Sequence, residues 1–177
     1  MEKSIPSSGK ISLQILVTCS LLIGMAVVMN RFLGVNNQVV QISLNFVPIF
    51  IAAAMYGPIM GGTCAALADV IGSLLFPFGA YFFPFTVSAF LTGLIFGLFT
   101  YKKFTFLRLT MAVVTVALIV ELAMGTAWLM IITDKGFMAI FTARLIKIGI
   151  LIPLEIGVLY GVRRLLDVII RKRSRAV

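Results

Sequence analysis

Apolar residues along this chain fall into long blocks, separated by short polar, basic or Gly/Pro punctuation. The first block predicts a helix over residues 11–32 that stops at Arg31, Phe32, Leu33 and Gly34. Residues 35–45 are polar and Val-rich, and the alternation around Val39, Gln41 and Ser43 predicts a short extended segment lying against the helices. A second, short helix is expected over 45–56, closed by the breaker pair Gly57-Pro58, and a third over 59–75. Residues 76–84 carry Phe76, Phe78, Tyr81, Phe82 and Phe83 around Pro77 and Pro84, which predicts a stiff non-helical loop. Helices are then expected over 85–100, 106–132 and 137–170, the last turning amphipathic and basic beyond Gly161. At roughly 20 residues per bilayer crossing, the pattern predicts an all-α membrane protein of six transmembrane helices. Its organisation is a polar arm (1–10), one six-helix domain (11–170) and a basic tail (171–177).

Composition supports that assignment. The chain is 61% hydrophobic and 12% charged, with a mean hydropathy of +1.13, whereas a soluble domain is about 25% charged. An even number of spans puts both termini on one side, together with Lys3, Lys10, Lys102, Lys103, Arg108 and the tail cations, against Arg31, Asp134 and Lys135 on the other. That asymmetry makes both termini cytoplasmic. The formal charge of +9 is thus read as topology and contact with anionic lipid, not nucleic acid.

Several function classes drop out. The chain carries no G-x-x-x-x-G-K-[ST] phosphate loop, so it does not hydrolyse ATP by itself. It has no histidine, and Cys19 and Cys64 sit singly in apolar blocks, so neither a metal, a cofactor nor an enzyme active site is expected. The first block is too long for the core of a secretory signal and is read as a retained helix.

The chemistry lies in the few polar groups inside the blocks. Asp69 is a lone carboxylate in the third helix, a costly placement that marks a functional site or demands a cationic partner. Arg144 and Lys147 share one face of the sixth helix and are the expected partners, suited also to an anionic substrate. Glu121 and Glu155 are read either as structural partners of a cation or as lining a polar route. The aromatic loop and Trp128 form either an interfacial belt or flat walls for a planar heterocycle. Ser20, Gly24, Ala26 and Asn30 make a small-residue stripe on the first helix, for packing inside the domain or docking to another subunit.

Certain blocks carry a family likeness: Asn45-Phe46-Val47-Pro48-Ile49, Tyr56-Gly57-Pro58, Ala68-Asp69-Val70-Ile71-Gly72, Phe76-Pro77, Gly79-Ala80-Tyr81-Phe82 and Phe85-Thr86-Val87-Ser88-Ala89-Phe90-Leu91-Thr92-Gly93. With Thr126-Ala127-Trp128-Leu129, Ala143-Arg144-Leu145 and Pro153-Leu154-Glu155, they resemble the substrate-binding S-components of energy-coupling-factor (ECF) vitamin transporters, the folate-specific group most. The resemblance implies an S-component bundle in a prokaryotic plasma membrane, a vitamin pocket near the outer face, and partnership with a transmembrane T-component and two ATPase subunits. It also makes the first-helix stripe the T-component docking face. For folate, Asp69 would accept hydrogen bonds from the pterin edge, and Tyr81, Phe82 and Trp128 would wall the ring. Arg144 and Lys147 would take the glutamate carboxylates, and Gln41 and Asn45 would close the lid. This chain has Gln41, Asn45 and Gly125 where folate-group members tend to carry Arg, Gly and Asn, and Phe83-Pro84 in place of Pro-Gly. A pyridoxine- or hydroxymethylpyrimidine-type precursor and pantothenate are therefore the alternative substrates.

Overall fold

The computed structural model describes residues 13–32, 35–36, 41–77, 81–101, 104–132 and 137–175, with the side chains of 35–36, 41–42, 139 and 166–175 left aside. The arm 1–10, Phe78, Lys102, Lys103, Asp134, Lys135 and the tail side chains therefore lie outside the described residues. Helix α1 spans Leu13–Arg31, and strands β1 (Val35–Asn36) and β2 (Gln41–Ile42) form a small antiparallel ladder pairing Val35 with Ile42 and Asn36 with Gln41. Helices α2 (Phe46–Tyr56), α3 (Pro58–Leu75), α4 (Phe83–Thr100), α5 (Phe106–Ile132) and α6 (Phe137–Arg175) follow.

The punctuation of the sequence sets most of these boundaries, with two corrections. Phe83 and Pro84 belong to the first turn of α4, not to the loop, because proline has no N–H to lose at a helix start. The last helix runs to Arg175, past the expected 170, since no breaker interrupts the basic segment. Among the described residues, five helices are long and apolar enough to cross a bilayer, and α2, at 11 residues, is shorter. Leu13, Leu21, Leu74, Phe83, Leu98, Leu107 and Met138 point outward from them, the surface of a multi-pass membrane protein.

Packing is dry at one end of the bundle. Phe50, Phe96, Leu109, Val113 and Leu159, from α2, α4, α5 and α6, are fully buried in one cluster, and the rings of Phe50 and Phe96 meet edge to face at 5.9 Å. Glycines draw α3 and α4 together: a Cβ at Gly61 would lie 2.9 Å from the Gly93 carbonyl oxygen, and one at Gly62 the same distance from the Phe90 ring. The opposite end gathers the C-termini of α1, α3 and α5 and the N-termini of α2, α4 and α6, and here the polar side chains converge.

A single residue, Gly57, joins α2 to α3 at φ 95° and ψ 177°. This backbone region is essentially closed to residues with a Cβ. The Tyr101 ring would sit 3.6 Å from such a Cβ, so space is adequate and the cost is conformational. Gly57→Ala should therefore destabilise the fold by about 1–3 kcal/mol, measured by denaturation of the detergent-solubilised protein.

Candidate functional site

Asp69 lies on the last two turns of α3, facing the first turn of α4. Its Oδ2 accepts a hydrogen bond from Thr86 Oγ1 at 2.7 Å, and Thr86 Oγ1 is also 2.7 Å from the Tyr81 hydroxyl. A threonine hydroxyl has one proton, so with that proton committed to Asp69 the Tyr81 hydroxyl donates to Thr86. The acid thus heads a chain Tyr81→Thr86→Asp69. A cation completes this node. Arg31, at the end of α1, crosses to α3, where its Nη2 donates to Ser73 Oγ at 3.2 Å and its charge attracts Asp69. The missing side chain of Gly72 lets the guanidinium through, since a Cβ there would lie 3.3 Å from Arg31 Nε.

The expected pairing of Asp69 with Arg144 and Lys147 is therefore corrected: those two cations serve a different acid. Lys147 Nζ donates to Glu121 Oε2 at 2.6 Å, and Arg144 Nη1 donates to the main-chain carbonyl of the same Glu121. The physical reason is a change of winding within α5. Val116–Met124 is wound as π-helix, and the N–H of Gly125 bonds the carbonyls of Val120 and Leu122. In an α-helix that N–H would bond the Glu121 carbonyl. The wider turn frees this oxygen for Arg144, and Gly125 supplies the space, because any Cβ there would fall inside the guanidinium. Arg144 and Lys147 are both buried, so neither is drawn out to the membrane surface.

Between these nodes, Trp128 Nε1 donates to Ser88 Oγ at 3.0 Å, tying α5 to α4. The Phe82 ring stands edge to face against Trp128 (6.2 Å) and Phe85 (5.8 Å). The segment 81–88 therefore carries Tyr81 and Thr86 toward Asp69, and Phe82 and Ser88 toward Trp128. Glu121, Gly125 and Trp128 follow at helical spacing along α5, which links the aromatic wall to the cation pair. Thr126, next to Gly125, is buried with no hydrogen-bond partner for its Oγ1 among the described residues.

The other expected positions are spread more widely. Asn45 precedes α2 and its Oδ1 accepts from Ser43 Oγ at 2.9 Å. Gln41 pairs through its backbone with Asn36, and its side chain lies outside the described residues. The first-helix stripe divides. Ser20 and Gly24 are exposed, with nothing within 4 Å of a Cβ built on Gly24. Ala26 is instead packed into the core and does not belong to a docking face, because a six-residue offset turns it well away from Ser20. Asn30 is half-buried and already engaged with a neighbour.

Sequence reading missed Arg31, Thr86 and Ser88, whereas pairing with a cation was one of the two roles expected of Glu121. Glu121 stood out as the one acid in α5, while the reach of Arg31 across Gly72 shows only once α1 and α3 are packed together.

A bundle of this form, with a polar and aromatic site at one end and a lipid-facing surface, is that of a membrane solute-capturing subunit. A family model described as "ECF-type riboflavin transporter, S component" matches residues 10–162. The chain belongs to the S-component family of ECF-type transporters. It is similar to the folate transporter FolT of Clostridium novyi (strain NT), with 36% identity over 154 residues, 86% of this chain and 90% of that protein. FolT of Leuconostoc mesenteroides subsp. mesenteroides is 33% identical over 151 residues, 81% of each chain. A crystal structure of FolT bound with folic acid superposes with a TM-score of 0.81 at 33% identity, covering 84% of this chain and 92% of that one. The likeness to S-components and to their folate group is thus borne out.

The site geometry makes a prediction about α5. Gly125→Ala displaces Arg144 from the Glu121 carbonyl and leaves a buried cation unpaired, at a cost of about 3–5 kcal/mol. Gly149→Ala, on α6 with nothing within 4 Å of the new methyl, should be neutral or stabilising by up to ~1 kcal/mol. Parallel denaturation of the two variants checks the contrast.

Proposed function

We propose that this protein captures folate at the outer face of a prokaryotic plasma membrane and hands it to a transmembrane T-component driven by two ATPase subunits. Both termini are cytoplasmic in this reading, as the basic asymmetry requires. The observation that carries it is a polar site of complementary chemistry, Asp69 at one node and Arg144 with Lys147 at another, in a chain akin to a protein solved with folic acid.

In the proposed arrangement, Asp69 accepts hydrogen bonds from the amino and ring N–H edge of the pterin. Thr86 donates to that carboxylate and the charge of Arg31 attracts it, which fixes how it is turned. Tyr81, Phe82 and Trp128 wall the ring, with Trp128 fixed by Ser88. Arg144 and Lys147 take the glutamate carboxylates, the first through its fork and the second as a point charge. Gln41 and Asn45 lie on the segment closing over the site. Ser20 and Gly24, open on α1, are the docking point for the T-component.

Riboflavin is the second reading, because the matched family model is described by it. A flavin also fills an aromatic slot but brings no carboxylate to the two cations. Calorimetry of the purified protein with folate, riboflavin, pantothenate, pyridoxine and hydroxymethylpyrimidine separates these readings. Folate should bind most tightly, without ATP, and should change the fluorescence of the chain's one tryptophan. Preference for riboflavin would overturn the folate reading. Asp69→Asn should weaken folate roughly 10- to 100-fold, the loss of a charge-assisted hydrogen bond. Full affinity in that variant would remove Asp69 from the site.

A further inference from the structure

One residue, Glu121, pairs with Arg144 and Lys147, the two buried cations of α6 among the described residues. Its carboxylate takes Lys147 and its main-chain oxygen takes Arg144. The satisfaction is incomplete, however. Arg144 Nε is buried with no acceptor among the described residues, and the buried Thr126 hydroxyl beside Gly125 is also without a partner. The pair is also asymmetric: the Lys147 side chain is 5% exposed, whereas that of Glu121 is 37% exposed. The cation is the fixed member and the acid approaches from the open side. Glu155 lies two turns beyond Lys147 on α6, where it attracts Lys147 and repels Glu121. The repulsion from Glu155 works against the approach of Glu121.

We infer that Glu121 is an internal stand-in for the substrate's carboxylate: it pairs with Lys147 and is displaced from it by an anionic group of the ligand. This deepens the proposed function and rests on its assignment of Arg144 and Lys147 to the glutamate moiety. An incoming carboxylate fits the vacancies that Glu121 leaves, because it can accept from the second edge of the guanidinium and from Thr126 while also pairing with Lys147. A neutral planar ligand gains nothing from breaking the Glu121–Lys147 pair. The residue therefore sets how much the carboxylate-bearing arm adds to affinity, because that arm alone has to displace it.

The test uses the purified full chain and two probes, folate and 6-hydroxymethylpterin, which has the ring without the glutamate arm. Glu121→Gln should tighten folate binding roughly 10-fold (about 1.4 kcal/mol) and leave hydroxymethylpterin unchanged. A purely structural Glu121 predicts the opposite sign, with both ligands weakened. Folate affinity that is unchanged or lowered, or both ligands tightened equally, would overturn the inference while the folate reading stands. Absence of folate binding to the parent protein would overturn both. Because Glu121→Gln removes the ion-pair partner of Lys147, Glu121→Asp serves as a second variant. It keeps the charge but shortens the reach, and should shift folate affinity in the same direction by a smaller factor.

Discussion

The pairing of two buried cations with one residue of a neighbouring helix is the constraint around which this bundle is arranged. An ammonium or guanidinium left alone inside a bilayer-sized domain costs several kcal/mol. Arg144 and Lys147 are three residues apart on α6, so a single acid on a regular helix would meet the pair with its carboxylate alone. The π-wound segment of α5 presents a carboxylate to Lys147 and a main-chain oxygen to Arg144 from the same position. The widened turn and the bare Cα of Gly125 are parts of one solution. Placed next to this, Trp128 can reach Ser88, and the aromatic loop gains a fixed edge to lean on.

The second node repeats the logic with opposite sign. Asp69 is held by a hydroxyl from α4 and a guanidinium from α1, so three helices meet at one carboxylate. The close glycine contact between α3 and α4 makes this possible, because Thr86 reaches Asp69 only if the helices approach backbone to backbone. Dry packing at one end of the bundle and polar satisfaction at the other are consequently coupled through α3 and α4.

Much of this was legible in the residues. Gly57-Pro58, the prolines of the aromatic loop and the basic punctuation fix the helix ends because backbone chemistry there has few alternatives. Asp69, Tyr81, Phe82, Trp128, Arg144 and Lys147 were identifiable because polar or amphipathic groups inside apolar blocks need partners. The partners themselves were not. Which acid meets which cation depends on helix rotation and winding, and nothing in Val116–Met124 encodes a π-turn as proline encodes a break. Arg31 looked like a loop-end charge because its reach across Gly72 is a property of two helices together. Ala26 fell in the wrong group because two interleaved small-residue spacings on α1 face opposite directions.

The length of α6 has a mechanical consequence. Its 39 residues extend about 58 Å at 1.5 Å per residue, nearly twice the ~30 Å hydrocarbon thickness. Arg163 lies over the Phe104 ring at 5.2 Å, and Tyr160 packs against Phe104 and Phe106. Together they clasp the helix to the start of α5. Beyond that clasp, roughly 18 Å of helix continues to Arg175. The same helix carries Arg144 and Lys147 near one end and the basic segment at the other, with Pro153 breaking the hydrogen-bond ladder between them. That break falls between the cation site and the clasp, so the clasp, and not the site end of the helix, sets where the basic segment leaves the bundle.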